Sequence, residues 1–118
     1  GMTAKECYAA FGGDFEGTLA RLSSERLVDR LIRKFLADES FATLKKALEE
    51  ENYEEAFRAA HTLKGVGMNL GITKLYQISG DLTEELRGGK KPENETLMTQ
   101  LEAEYEHTRA VISEFAQA

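Results

Sequence analysis

Several things that other folds and functions depend on are scarce or missing in this chain. Cys7 is the only cysteine in 118 residues; without a partner for an internal disulfide or a second thiol for a metal site, it reads as a small apolar helix residue. Proline occurs once, at Pro92, and no apolar run approaches the roughly 18 residues that a membrane span needs. Clusters of β-branched residues are absent, which removes the usual signature of a sheet. No charged-then-apolar leader opens the sequence, and a cytoplasmic location is the expectation that follows. There is also no glycine-rich loop with a phosphate-binding lysine, so no ATP site of that kind is expected. The net charge is −6 and the lysines and arginines are scattered among acidic residues, which argues against a nucleic-acid surface.

What the chain does have is helical periodicity, in every segment longer than a few residues. Its length suits about one domain with a single modest core, and the class is all-α. A short helix is expected over Thr3 to Phe11, stopped by Gly12 and Gly13, and a second over Asp14 to Leu22. Ser23 or Ser24 can cap the next, in which Leu27, Val28, Leu31, Ile32 and Phe35 give one broad apolar face ending near Asp38. Ser40 opens a helix through Phe41, Leu44, Ala47 and Leu48. Asn52 then supplies a turn and an N-cap for its successor, whose Glu54 and Glu55 suit the positive end of the helix dipole. Gly71 breaks that helix, and Ile72, Leu75, Ile78, Leu82 and Leu86 carry a core stripe along the next. After the loop RGGKKPEN, a last helix runs from Glu95 to about Ala116 through Leu97, Leu101, Tyr105, Thr108, Ile112 and Phe115. Short links favour antiparallel neighbours. Residues 40–117 are therefore expected to form an antiparallel four-helix bundle, with residues 23–38 a covering helix and residues 1–22 a helical extension over one end.

The stretch EEAFRAAHTLKGVGMNLG, Glu54 to Gly71, departs from what a purely structural helix would use. Glycine inside a helix costs roughly 0.5–1 kcal/mol relative to alanine, yet Gly65 and Gly67 both lie in it. Ala56, Ala60, Leu63, Gly67 and Leu70 recur at helical spacing and form the seam toward the bundle, which puts Gly67 where a neighbouring helix comes close. His61 lies about 140° from the centre of that stripe, on a face expected to be wet. Phe57 is one turn before it, Lys64 and Gly65 one turn after, and Met68 two turns after. A lysine one turn away can neutralise an anion on the imidazole, and a residue without a side chain lets another protein's surface come close. The combination points to a phosphorylated histidine approached by a partner. His107, in the last helix, has no comparable neighbours and is assigned no chemistry.

AHTLKGVGMNLG resembles the signature of histidine-containing phosphotransfer (HPt) domains: a histidine, a lysine three residues on, a glycine four on and a further glycine ten on. His61, Lys64, Gly65 and Gly71 fit it. The resemblance extends through LIRKFLAD and FATLKKALEEENYEEAFRAAHTLKG to the two later helices, over roughly residues 24–116, and leaves residues 3–22 uncovered. It implies a helical bundle that carries phosphate without acting on ATP: His61 takes a phosphoryl group on Nε2 from the aspartate of one receiver domain and passes it to another. The implied partners are receiver domains of response regulators or of a hybrid histidine kinase, with no nucleic acid and no membrane. The implied metal is Mg²⁺ on the receiver alone, and no cofactor or metal ligand is expected on this chain.

Imidazole suits this work, because with an ordinary pKa of about 6.5 it is largely neutral near pH 7 and keeps a lone pair for attack. Phosphoryl transfer depends mostly on positioning and on cations that offset the equatorial charge, and Lys64 can be one of them. Family members often place a glutamine or glutamate twenty-two residues after the histidine to orient the ring. Thr83 occupies that position here, with Glu84 beside it as the alternative. Met68 stands where the family keeps a small residue, and with Phe57 it makes an apolar flank suited to docking or to helix packing. Asn69 suits a cap or a contact with the partner. The departures at Thr83 and Met68 leave open a receiver-binding module that carries no phosphate, and an enzyme-class alternative is the phosphoacceptor part of a split kinase whose ATP-binding part is elsewhere.

Overall fold

The computed structural model describes residues 1–117; Ala118, the last residue of the expected domain, lies outside the described residues. Those residues form seven α-helices, α1 (Ala4–Phe11), α2 (Phe15–Leu22), α3 (Glu25–Lys34), α4 (Ser40–Glu49), α5 (Tyr53–Leu70), α6 (Thr73–Leu86) and α7 (Thr96–Gln117), with a 3-10 turn at Phe35–Ala37 after α3. Local chemistry sets most of the boundaries. Thr3 and Glu6 close a capping box at the start of α1, and Asp14, Ser24 and Asn52 each accept a backbone N–H in the first turn of α2, α3 and α5. Ser24 rather than Ser23 is the cap of α3. Gly12 and Gly71 end α1 and α5 at φ of 73° and 71°, a conformation that costs residues with a Cβ far more.

Helices α4 to α7 form the bundle. Phe41 of α4 stacks on Tyr105 of α7 at 4.1 Å between ring centroids, and Lys45 donates to Glu102 across the same pair. Ala56, Ala60, Leu63, Gly67 and Leu70 of α5 are all buried, joined by Ala59. At Gly67 the next helix comes very close: a Cβ there would lie 3.0 Å from the Tyr76 Cβ and 3.3 Å from its backbone nitrogen. Of the stripe expected on α6, Ile72, Leu75, Leu82 and Leu86 are buried, while Ile78 is only partly covered. On α3 the buried side is Val28, Ile32 and Phe35, with Leu27 and Leu31 half-buried at its margins.

Helices α1 and α2 attach to the end of the bundle where α5 stops and α6 begins. The last carbonyls of a helix have no partner within it, and α5 carries no basic residue in its last turn. The extension supplies what is missing. The Tyr8 hydroxyl donates to the Leu70 carbonyl at 2.6 Å, and the Asp14 N–H donates to the Gly71 carbonyl at 2.9 Å. The Arg21 guanidinium donates to the Met68 and Asn69 carbonyls at 3.0 and 2.9 Å, where a cation also suits the negative end of the helix dipole. Tyr8 is wholly buried and packs against Phe11 and Phe15. His107 contributes to the same end, with Nε2 3.2 Å from the Ala10 carbonyl oxygen, tying α7 to α1.

Candidate functional site

His61 lies midway along α5 on its exposed side, because the residues that α5 buries are on the opposite face. Among the described residues, no side chain hydrogen-bonds either ring nitrogen. Phe57, one turn earlier and half-buried, lies nearly parallel to the imidazole with ring centroids 6.1 Å apart. Gly65, one turn later, faces open space: a Cβ built there would meet nothing within 4 Å. Met68, two turns later, is 50% exposed, a large apolar side chain left in water. Asn69 is exposed as well, and its carbonyl oxygen accepts from Arg21.

Helix α6 supplies the other wall. The close contact of Gly67 with Tyr76 and the proximity of Gly80 to Lys64 set the antiparallel register of α5 and α6. Lys64 is half-buried, and its methylenes run past Gly80 at ordinary van der Waals range, 3.5 Å from where a Cβ would be. A bulky residue at 80 would push this stem away, so Gly80 gives the lysine a track along α6, and its charge is felt at Glu84. One turn further in the same register, Glu84 comes level with His61 and Arg87 with Phe57.

Glu84 and Arg87 form the charged part of the site. The Arg87 guanidinium donates twice to the Glu84 carboxylate, at 3.0 Å through Nε and 2.8 Å through Nη2. It also lies over the Phe57 ring, 5.2 Å from the centroid, a favourable placement for a cation. The hydrogen bond from Arg87 holds the Glu84 carboxyl below the usual carboxylate range, and the nearby charges of Arg87, Lys64 and His61 act in the same direction. Arg87 is raised in turn by Glu84.

Of the residues singled out in the sequence, the structure brings Phe57, His61, Lys64, Gly65, Met68 and Glu84 to one face. Thr83 does not join them. Its side chain is fully buried and its hydroxyl donates to the Ser79 carbonyl one turn back at 2.6 Å, so the orienting role expected of it is corrected: the hydroxyl is spent inside α6. Phe57 packs in part against the core and carries Arg87 of the α6 end over its ring, while Met68 stays half exposed. Gly80 and Arg87 belong to the site and were missed. Glu84 and Arg87 at i, i+3 are a readable ion pair, but their place beside His61 depends on how two helices meet.

An exposed imidazole with a half-buried lysine one turn away and empty space on one flank can take up a phosphoryl group and present it to a second protein. Among the described residues no helix is long and apolar enough to cross a membrane. A comparison with curated proteins and one with solved structures each return no match. A family model does match: the Hpt domain, over residues 30–111, which include the whole of α4, α5 and α6 and His61 itself. The chain therefore belongs to the Hpt domain family, whose members carry phosphoryl groups on a histidine in phosphorelay signalling together with receiver and kinase partners, as phosphocarriers rather than kinases.

Proposed function

We propose that this protein is a phosphorelay carrier that accepts a phosphoryl group from a receiver-domain aspartate onto Nε2 of His61 and passes it to the aspartate of another receiver. The observation that carries this reading is the exposed His61 between a half-buried Lys64 and the empty space over Gly65. In the forward step the Nε2 lone pair forms a bond to phosphorus as the phosphorus–oxygen bond to the aspartate breaks, and that electron pair leaves with the carboxylate. The return step is the reverse, on a second aspartate. Lys64 offsets charge on the equatorial oxygens, and the receiver brings the Mg²⁺, so the transfer is one of positioning and electrostatics.

The remaining residues divide between docking and orientation. Gly65 lets the receiver's backbone approach, and Met68 and Phe57 offer it apolar contact, methionine being flexible enough to fit a varied surface. Glu84, level with the imidazole, replaces Thr83 as the residue placed to accept from the ring N–H. The reading puts the protein in the cytoplasm with its receivers. Incubation with a phosphorylated receiver tests it: acid-labile label on the chain supports the carrier, whereas binding without label supports a phosphate-independent docking module. Label acquired from ATP alone would instead point to the phosphoacceptor part of a kinase.

A further inference from the structure

We propose that Glu84 and Arg87 form an exchangeable pair: the Glu84 carboxylate parks the Arg87 guanidinium while His61 is bare, and the guanidinium turns to the phosphoryl oxygens once His61 carries phosphate. The inference rests on the carrier reading and adds to it a device that sets how long phosphate stays on the histidine.

The guanidinium lies over the Phe57 ring, Phe57 is stacked against the His61 imidazole, and the carboxylate that holds the guanidinium is influenced by the charges of both Lys64 and His61. A phosphoryl group on Nε2 brings nearly two negative charges and three acceptor oxygens into this space. Glu84, whose carboxylate feels the charge of His61 and Lys64, is then a like-charged neighbour of the phosphoryl group, and Arg87, paired with it, is an unlike-charged one. Both members of the pair are exposed, with side chains 58% and 60% accessible for Arg87 and Glu84, so their mutual attraction is weak and easily given up. A planar guanidinium also matches phosphate oxygens in a two-pronged contact that a lysine cannot make. Arg87 is the C-cap residue of α6, with φ −57° and ψ 133°, so its side chain swings from the end of a helix rather than from a packed turn. In the exchange the Arg87 side chain rotates from Glu84 toward His61 while α6 keeps its place.

The two-pronged Arg87 contact is made to the resting phosphohistidine and has to loosen as the phosphoryl group flattens, so it slows loss to water, in which a water oxygen bonds to phosphorus as the phosphorus–nitrogen bond breaks, the electron pair returning to Nε2 and the water proton passing to solvent. Glu84 opposes this by competing for the guanidinium.

The test loads His61 chemically with phosphoramidate, from which ammonia leaves as Nε2 bonds to phosphorus, so that no receiver is required. Phosphohistidine lifetime is then followed by phosphorus NMR in the wild type, Arg87→Ala, Arg87→Lys, Glu84→Gln and the double variant Glu84→Gln/Arg87→Ala, with His61→Gln identifying the relevant signal. Arg87→Ala is expected to shorten the lifetime roughly threefold to tenfold, the scale of one exposed charge-assisted hydrogen bond, and Arg87→Lys to recover only part of it. Glu84→Gln is expected to lengthen the lifetime, and to do so only while Arg87 is present. Equal lifetimes in wild type and Arg87→Ala would overturn the exchange. So would a Glu84→Gln effect that persists undiminished in the double variant, since the carboxylate would then act on the phosphate directly. Failure of phosphoramidate to load His61 would defeat both the exchange and the carrier reading, whereas failure to take label from a phosphorylated receiver, with these lifetimes as expected, would defeat the carrier alone.

Discussion

Tyr8→Phe isolates the link between the N-terminal extension and the helix that bears His61. The substitution keeps the ring, and with it the contacts to Phe11 and Phe15 at 4.9 and 5.5 Å, but removes the hydroxyl that donates to the Leu70 carbonyl at 2.6 Å inside a fully buried site. No cavity of consequence is created, so the cost is that of leaving one buried carbonyl without its donor, about 1–2 kcal/mol. For a chain of this size each kcal/mol moves the melting temperature by about 4 °C. The expected fall is therefore about 4–8 °C by calorimetry or by helical circular dichroism, with phosphate uptake at low temperature unchanged. A melting temperature within about 1 °C of wild type would refute the reasoning, because it would show that the Leu70 carbonyl finds water or another donor at no cost. Arg21→Ala, which takes one donor from each of two carbonyls that water can reach and leaves that of Met68 with the Gly71 N–H, should cost less than Tyr8→Phe; the opposite order would place the strength of the clamp in charge rather than in burial.

Gly65→Gln, entering open space on a helix, should raise stability by roughly 0.5–1 kcal/mol while weakening receiver binding in a titration. Unchanged affinity would remove close approach as the reason for that glycine. Met68→Ala should lower receiver affinity and shorten the phosphohistidine lifetime by uncovering the imidazole; faster transfer with tighter binding would show instead that methionine obstructs the site. Burial pushes the Cys7 thiol up to about 11 and the Tyr8 hydroxyl further still above its ordinary value. Both are acids whose folded forms hold the proton longer than the unfolded chain does. Stability is therefore complete below the unfolded thiol pKa and falls as pH rises past it toward about 11, by up to about 1.4 kcal/mol per pH unit for each group. Urea midpoints across this range check it, and Cys7→Ala should flatten the first part of the decline.

Helices were legible from the sequence because their period is local: the buried runs of α5 and α7 and the caps at Ser24 and Asn52 each depend on a few neighbouring residues. The exposed position of His61 followed from the same period. Thr83 misled for the opposite reason. The offset along the chain places it level with His61, as the pairings of Gly67 with Tyr76 and of Gly80 with Lys64 also do, but the face that α6 buries turns its side chain into the core, which an offset does not contain. Arg87 was passed over because it stands at the end of α6, where the chain already reads as a loop. The clamp made by Tyr8, Asp14 and Arg21 joins residues as many as 62 positions apart through main-chain carbonyls, which carry no sequence signature. Its three donors lie outside residues 30–111, where the family match runs, although the carbonyls they hold lie inside, so family likeness pointed at the site and not at the residues that support it.

Transfer from a phosphorylated receiver to wild type and to His61→Gln, with helical circular dichroism on both, addresses the role of His61 most directly. The exposed histidine contributes little to the core, so the variant should keep the wild-type spectrum and melting temperature while acid-labile label, present on wild type, disappears. Label that persists on His61→Gln would mean that another residue accepts the phosphate, and loss of the fold would mean that His61 is not the open, solvent-facing group described here.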